Sequence, residues 1–456
     1  MSFPNLLATR KGRLAGFCAL YVSEGLPQGF TATAVAIEFK RMGMTGEAIG
    51  SFAAFIMLPW AWKWIVGPFV DNLHFRRFGR RKQWIVGAQL GMLATLIAAL
   101  LVFPKIETDP EGARTVIGLG LFTTILLINN IFSATQDVAI DALACNTLAE
   151  HERGLANGLM FGGAQAGAAI GGSGVLYLKG WLGFSFASLL APLLLLCILS
   201  IVVFTFFERR LDDDASAPPA PFDVPPVTRA LQEIASYLVI VGRTFFMTRR
   251  GFLGLLLAIL PFGGMALSLV VSTVITPTLG MNDDEIATLG LVSSVVFVVC
   301  CMLGGFLSDR CGRRLTLAVF SAGTLLPTLW MGWQLHSAGW IYPVEAATDG
   351  AWPRHEALIN AWWIAGLTYS VFQGLMYGIR TAFCMDIVEP RIAATQFTAY
   401  MAMLNLVTIY SYWWEGMAIT PADHGGWGLT YLQIFLIDAG LGAVFLLVIP
   451  FVKPRR

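Results

Sequence analysis

The chain is poor in charge. Of its 456 residues only 13% are Asp, Glu, Lys or Arg, against about 25% in an ordinary soluble domain. That scarcity argues against a water-facing surface over most of the protein. Acids and bases nearly cancel at a net +1, so no basic field marks a nucleic-acid partner. Histidine is also scarce, with five residues and no cluster. There is no HExxH, no GxSxG and no phosphate-cradling P-loop, which leaves a metallohydrolase, a serine hydrolase or an ATP-driven pump without its machinery in this chain. No enzyme activity and no cofactor are expected. The seven cysteines are Cys18, Cys145, Cys197, Cys300, Cys301, Cys311 and Cys384. None forms a CxxC motif and none lies in a loop assigned to the outside, so neither a disulfide framework nor a thiolate metal site is expected.

What the chain has is apolar length. Hydrophobic residues make up 56% of it, and they come in blocks near the ~20 residues that span a bilayer as a helix. Twelve spans are predicted, at 14–37, 47–70, 84–103, 115–146, 154–178, 182–207, 251–279, 285–307, 315–334, 358–386, 394–416 and 428–452. The basic residues Arg10, Lys11 and Arg13 precede the first without a small-residue cleavage site, so that span is read as an uncleaved helix. With the N-terminus inside, 22 of the 30 Lys and Arg residues fall in inner segments, six in outer loops and two, Lys63 and Arg380, within spans. The positive-inside rule then places both termini in the cytoplasm.

The charged, Pro-rich stretch 208–226 is a linker. Residues 227–248, with Arg229, Glu233 and Arg243 around an apolar face, read as an amphipathic helix on the inner surface. The expected organisation is a bundle over 1–207, a cytoplasmic linker over 208–250 and a second bundle over 251–456. The fold class is an all-α membrane protein of twelve transmembrane helices in two six-helix bundles.

The two bundles repeat. Gly67-Pro-Phe-Val-Asp71 ends span two and Gly305-Phe-Leu-Ser-Asp309 ends span eight. Basic loops follow, with Arg80, Arg81 and Lys82 in one half and Arg310, Arg313 and Arg314 in the other. Pro27 in span one has its counterpart in Pro261 in span seven. Duplicated halves with a binding site between them are a common plan for secondary transporters.

Gly-x-x-x-Asp-Arg-x-Gly-Arg-Arg at 305–314 resembles the signature loop of the major facilitator superfamily. Pro59-Trp-Ala-Trp-Lys63, the longer loop 71–82, Ser133-Ala-Thr-Gln-Asp137-Val-Ala-Ile-Asp141, Glu152-Arg153-Gly154 and Ala394-Thr-Gln-Phe397 are similar to its AmpG-type branch. That branch contains muropeptide permeases, siderophore importers and acetyl-CoA transporters. The resemblance implies the major facilitator fold, with spans one, four, seven and ten around a central cavity. It also implies an inner gate, to which Asp71, Arg80, Arg81, Arg153, Asp309, Arg310, Arg313 and Arg314 are assigned. Acids at a helix end can pair with this Arg cluster, and the cluster with neighbouring helix C-termini.

Charge inside a span costs about 2.5–3.5 kcal/mol at mid-helix, so it rarely faces lipid. Tyr21, Glu24, Gln28 and Thr31 share one face of span one; Asn130, Ser133, Asp137 and Asp141 share one face of span four. Span ten carries Tyr369, Gln373, Tyr377 and Arg380. The expected cavity residues are Tyr21, Gln28, Lys63, Asn130, Ser133, Gln373, Tyr377 and Arg380. Glu24, Asp137 and Asp141 are the expected proton carriers, because a carboxylate moved into low dielectric holds a proton more tightly. Three alternatives stay open: Lys63 as a fixed partner of Asp137 or Glu24, Asp141 as part of the gate, and Arg380 as a bridge to the opposite half. Glu415 and Asp438 are read as structural.

The expected function is secondary active transport across the bacterial inner membrane, by a monomer embedded in lipid. The reading is proton-coupled import of a medium-sized polar solute such as a GlcNAc-anhydromuropeptide. A siderophore importer and a proton-driven drug exporter are the alternatives.

Overall fold

The computed structural model describes residues 5–73, 79, 81–108, 114–148, 153–207, 225–342, 352–387 and 393–452. They form twelve helical passes. The first joins α1 (Arg10–Gly29), a π-helical turn at Phe30–Val35 and α2 (Ala36–Arg41). The second joins α3 (Gly46–Trp62), a 3-10 turn at Lys63–Ile65 and α4 (Val66–Asn72). The third and fourth are α5 (Lys82–Leu101) and α6 (Leu119–Thr147). The fifth runs through α7 (Arg153–Ala169), a second π-helical turn at Ile170–Gly174 and α8 (Val175–Leu182), and the sixth through α9 (Phe184–Ala187) and α10 (Leu190–Thr205). Between the halves lies α11 (Pro226–Met247), the expected amphipathic helix. The seventh pass is α12 (Arg249–Ala258) and α13 (Val270–Thr278). The last five are α14 (Asp283–Cys311), α15 (Arg313–Ser337), α16 (Glu356–Ile387), α17 (Ala393–Ile419) and α18 (Tyr431–Val448).

Seven of the helices are long and apolar enough to cross a membrane by length and composition. The other five passes include the two with π-helical turns and the divided seventh. Two features depart from the sequence reading. A short antiparallel hairpin, β1 (Lys105–Thr108) and β2 (Arg114–Ile117), joins passes three and four, with Lys105 opposite Ile117. The seventh pass is not one helix over 251–279, since residues 259–269 are non-helical. Pro261 lacks the amide a helix needs, and Gly263 takes φ +129°, a conformation closed to ordinary L-residues.

Passes one and five cross at backbone contact. Gly163, Gly167 and Gly171 recur every four residues and face the carbonyls of Cys18, Val22 and Leu26, themselves four apart. Gly25 and Gly29 return the contact onto Ala164 and Ala168. A Cβ at any of these would strike backbone, which is the small-residue packing that membrane helices use in place of hydrophobic burial.

At the end of the bundle opposite the termini the two halves are pinned together. Arg41 pairs with Asp283 at 2.5 Å, and Lys179 reaches both Glu38 at 2.6 Å and Asp283 at 3.0 Å. The Glu47 amide donates to the Thr420 hydroxyl at 2.6 Å. Gly50 lies against Tyr412 and Gly416, leaving no room for a side chain.

Candidate functional site

Passes one, two and four bring four ionisable side chains together in the first half. The 3-10 turn that interrupts pass two carries Lys63, whose ammonium donates to Asp137 Oδ2 at 2.5 Å. Of the open alternatives for Lys63, the structure therefore places it in an ion pair with Asp137. Glu24 lies against Asp137 and is also within the field of Lys63 and Asp141. One Glu24 oxygen is buried without a hydrogen-bond partner. Glu24 is 7% exposed and Asp137 4%, whereas Asp141, one helical turn further along α6, is exposed. The Tyr21 hydroxyl donates to Asp141 at 2.6 Å, linking that exposed carboxylate to pass one.

Three carboxylates thus share one lysine. Their charges cannot all be balanced by protein groups in the cluster, and buried unbalanced charge costs several kcal/mol.

The remaining first-half residues divide. Asn130 is committed to structure: it accepts from the Trp60 indole at 2.9 Å and donates to the Leu126 carbonyl at 3.0 Å. Ser133 is buried with its hydroxyl unpartnered. Gln28 is half-buried. Thr31 turns its hydroxyl back onto the Pro27 and Gln28 carbonyls of its own helix. Sequence reasoning left Trp60 unassigned among many tryptophans. Its position three residues before Lys63 puts it on the same face, and the Lys63 ammonium lies 5.6 Å from its ring centre. Also missed was a buried polar knot behind the cluster, where Gln89 and Gln136 both donate to the Ser23 hydroxyl, at 3.1 and 3.0 Å.

The second half presents a cation. Arg380 on α16 stacks its guanidinium 4.1 Å from the Tyr377 ring centre and 5.5 Å from that of Phe262. Its Nε is buried without a hydrogen-bond partner, and it forms no ion pair among the described residues. Tyr377 meets Phe161 edge-on at 5.8 Å, and Phe161 meets Tyr21 at 6.4 Å. This aromatic chain spans the interface between the carboxylate cluster and Arg380. Gln373 donates to the Tyr369 hydroxyl, which also bonds Ser268, both at 3.1 Å. An apolar groove between α3 and α17, lined by Phe55, Leu58, Ile409 and Trp413, contains no charged residue and is a separate feature.

Of the expected gate residues, Arg80 and the side chains of Asp71, Arg153 and Asp309 lie outside the described residues. Arg81 is buried and donates to the Val70 carbonyl near the end of α4 at 2.7 Å. Arg314 donates to the Ile449 carbonyl at 3.1 Å and to that of Pro450. Arg310 lies 4.2 Å over the Phe306 ring, and Arg313 is half-buried. Lys82, the residue after Arg81, reaches the Val203 carbonyl at 2.8 Å. The basic loops of both halves therefore hold the carbonyl ends of helices, pass six in one half and pass twelve in the other.

Comparison with known proteins fixes the class. The profile of the Major Facilitator Superfamily matches residues 14–412, and the chain belongs to that superfamily. It is a multi-pass membrane transporter and not an enzyme. It is 24% identical over 458 residues to the anhydromuropeptide permease of Escherichia coli K12, covering 98% of this chain and 82% of that one. It is 24% identical over 447 residues to a protein of Rickettsia conorii that carries the name AmpG 4, covering 95% of each. Among solved structures it resembles the E. coli xylose transporter XylE in a partially occluded inward-open conformation. The TM-score is 0.65 at 13% identity, covering 97% of this chain and 98% of the other. That likeness carries the fold alone.

Proposed function

We propose that this chain imports a medium-sized polar solute with an anionic group, driven by protons, and that an anhydromuropeptide is its cargo. One observation carries the reading: three carboxylates share Lys63 on one side of the interface, while Arg380 on the other has no acidic partner among the described residues. In this reading Glu24, Asp137 and Asp141 handle protons, with exposed Asp141 and Tyr21 as the entry. Tyr21, Gln28, Lys63, Ser133, Gln373, Tyr377 and Arg380 line the cargo site, and Arg380 takes the cargo anion through the two parallel bonds its fork offers a carboxylate. Bundles 1–207 and 251–456 rock about the cavity, joined by 208–250. Asp71, Arg80, Arg81, Arg153, Asp309, Arg310, Arg313 and Arg314 form the inner gate. The protein works as a monomer in the inner membrane with both termini in the cytoplasm. One proton entering down 100 mV supplies about 2.3 kcal/mol, enough for substantial accumulation.

The test is a thermal-shift screen of the purified protein against GlcNAc-anhydromuropeptides, ferric siderophores and acyl-CoA compounds. Muropeptides should raise the melting temperature, and Arg380→Gln should weaken their affinity about 10–100-fold, the worth of a charge-assisted hydrogen bond. A response to siderophores alone moves the cargo to that class. A muropeptide response unchanged in Arg380→Gln removes the anion from the account.

A further inference from the structure

The break in pass seven is held by two acids, and they are not equivalent. Asp438, 1% exposed on α18, accepts from the Met265 amide with both oxygens, at 3.0 and 2.8 Å, and from the Ala266 amide at 3.0 Å. Both of its oxygens are taken up by amides of the break. Glu415 on α17 is 0% exposed. Its Oε2 accepts a long bond from the Val271 amide at 3.3 Å, and the neighbouring Val270 amide also faces it, both at the first turn of α13. Its Oε1 is buried with no hydrogen-bond partner.

Among the described residues no positive charge is in contact with Glu415. The ionisable groups that sense the pair are acids: Asp438 itself on α18, Tyr369 on α16, and Tyr410 and Tyr412 on α17. The residues of α13 and of 259–269 include no ionisable side chain. On α15 the neighbours of the break are the hydroxyls of Thr324 and Thr328. On α3 the charged residue at the facing end is Glu47, another acid. Arg380 stacks on Phe262 of the break and makes no ion pair with either acid. An ionised Glu415 would leave one oxygen bare in a fully buried site beside another acid, a cost of several kcal/mol.

We propose that Glu415 is a proton-binding site of the second half, separate from the carboxylate cluster of the first, and that it reads the break in pass seven. With its proton, the Glu415 carboxyl is neutral, which removes the bare buried anion while the Val271 amide keeps its acceptor oxygen. When the proton leaves, the new carboxylate must find further donors, and the amides at the start of α13, Val270 and Val271, are the ones that face it. Pass seven then shifts, and with it Phe262, against which Arg380 rests. The proton site stands without the transport reading; only its place in a transport cycle rests on that reading.

The experiment is infrared spectroscopy of the purified protein in detergent at about neutral pH. A protonated carboxyl has a carbonyl stretch distinct from that of a carboxylate. The wild type should show such a band with a component missing from Glu415→Gln and retained in Glu24→Gln and Asp137→Asn. A Glu415→Gln spectrum identical to wild type in that region overturns the site. If Glu415→Gln does not fold, Glu24→Gln protein labelled with 13C at the Glu side-chain carboxyl replaces it. A protonated-carboxyl band should shift with the isotope, and no shift overturns the site. Coupling to the break is read from a fluorophore on Ser268→Cys, an exposed position within it, with exposed Cys197 and Cys311 replaced by Ser. Its emission should change over the pH interval that removes the Glu415 band, and should stay flat there in Glu415→Gln. Equal changes in both proteins overturn the coupling. Neither readout uses a cargo, so both stand or fall apart from the muropeptide assignment.

Discussion

Passes one and seven hold equivalent places in the two halves, and they handle polarity in opposite ways. Pass one stays helical through Pro27 by widening into a π-helical turn and carries its acid, Glu24, as a side chain. Pass seven opens at Pro261 and exposes backbone amides to acids supplied by α17 and α18. A glycine stripe on pass five clamps pass one along its length. Pass seven has Thr324 and Thr328 beside its Gly263 and Gly264 instead. A duplicated fold thus gives equivalent passes different polar architecture. The first half carries charge on helices packed at glycine contacts, while the second has a main-chain break beside an arginine that forms no ion pair among the described residues.

The largest effect should come from breaking the ion pair of the first half. Lys63→Met leaves Asp137 buried without its cation and should destabilise the protein by about 3–5 kcal/mol. Adding Asp137→Asn should restore most of the loss, because the charge that needed Lys63 is then gone. Chemical or thermal unfolding in detergent reads both. A double variant as unstable as the single would mean that Lys63 matters for packing and not for charge.

In the second half the matching change acts on backbone. Asp438→Ala orphans the Met265 and Ala266 amides, at about 1–3 kcal/mol for each buried group left unsatisfied. Asp438→Asn keeps an acceptor and should lose less. The same unfolding assay separates them, and equal losses would show that the amides find other partners.

The smallest stability effect is expected at the pinned end. Asp283→Asn removes partners of Arg41 and Lys179 that are partly exposed, so stability should change by no more than about 1 kcal/mol. Cysteines placed beside the Gly50–Gly416 contact should nonetheless become more reactive as closure weakens. Unchanged reactivity would leave closure to the helix packing alone.

The spans and the amphipathic helix were legible because bilayer physics writes them as apolar length and charge around an apolar face, whereas most of the linker over 208–226 lies outside the described residues. The charged cluster was legible as well, since Glu24, Lys63 and Asp137 stand out against apolar helices and the three- and four-residue spacings put them on common faces. The partners were harder to read. Nothing in the spacing says that Asn130 would be taken by Trp60, or that Thr31 would bond its own helix. Asp438 and Glu415 read as structural because their donors are amides, which carry no sequence signal. Pro261 reads in the sequence only as the counterpart of Pro27, and membrane helices tolerate such residues, so the break itself was visible only in three dimensions.

The account turns on proton coupling through the first half. Proteoliposomes loaded with an anhydromuropeptide can be followed in two ways: exchange with no gradient imposed, and net uptake under a pH gradient. Glu24→Gln and Asp137→Asn should retain exchange and lose gradient-driven accumulation, since an amide fills the site but cannot take up or release a proton. If both variants still accumulate solute in response to the pH gradient, these carboxylates are not the proton carriers and the central claim fails.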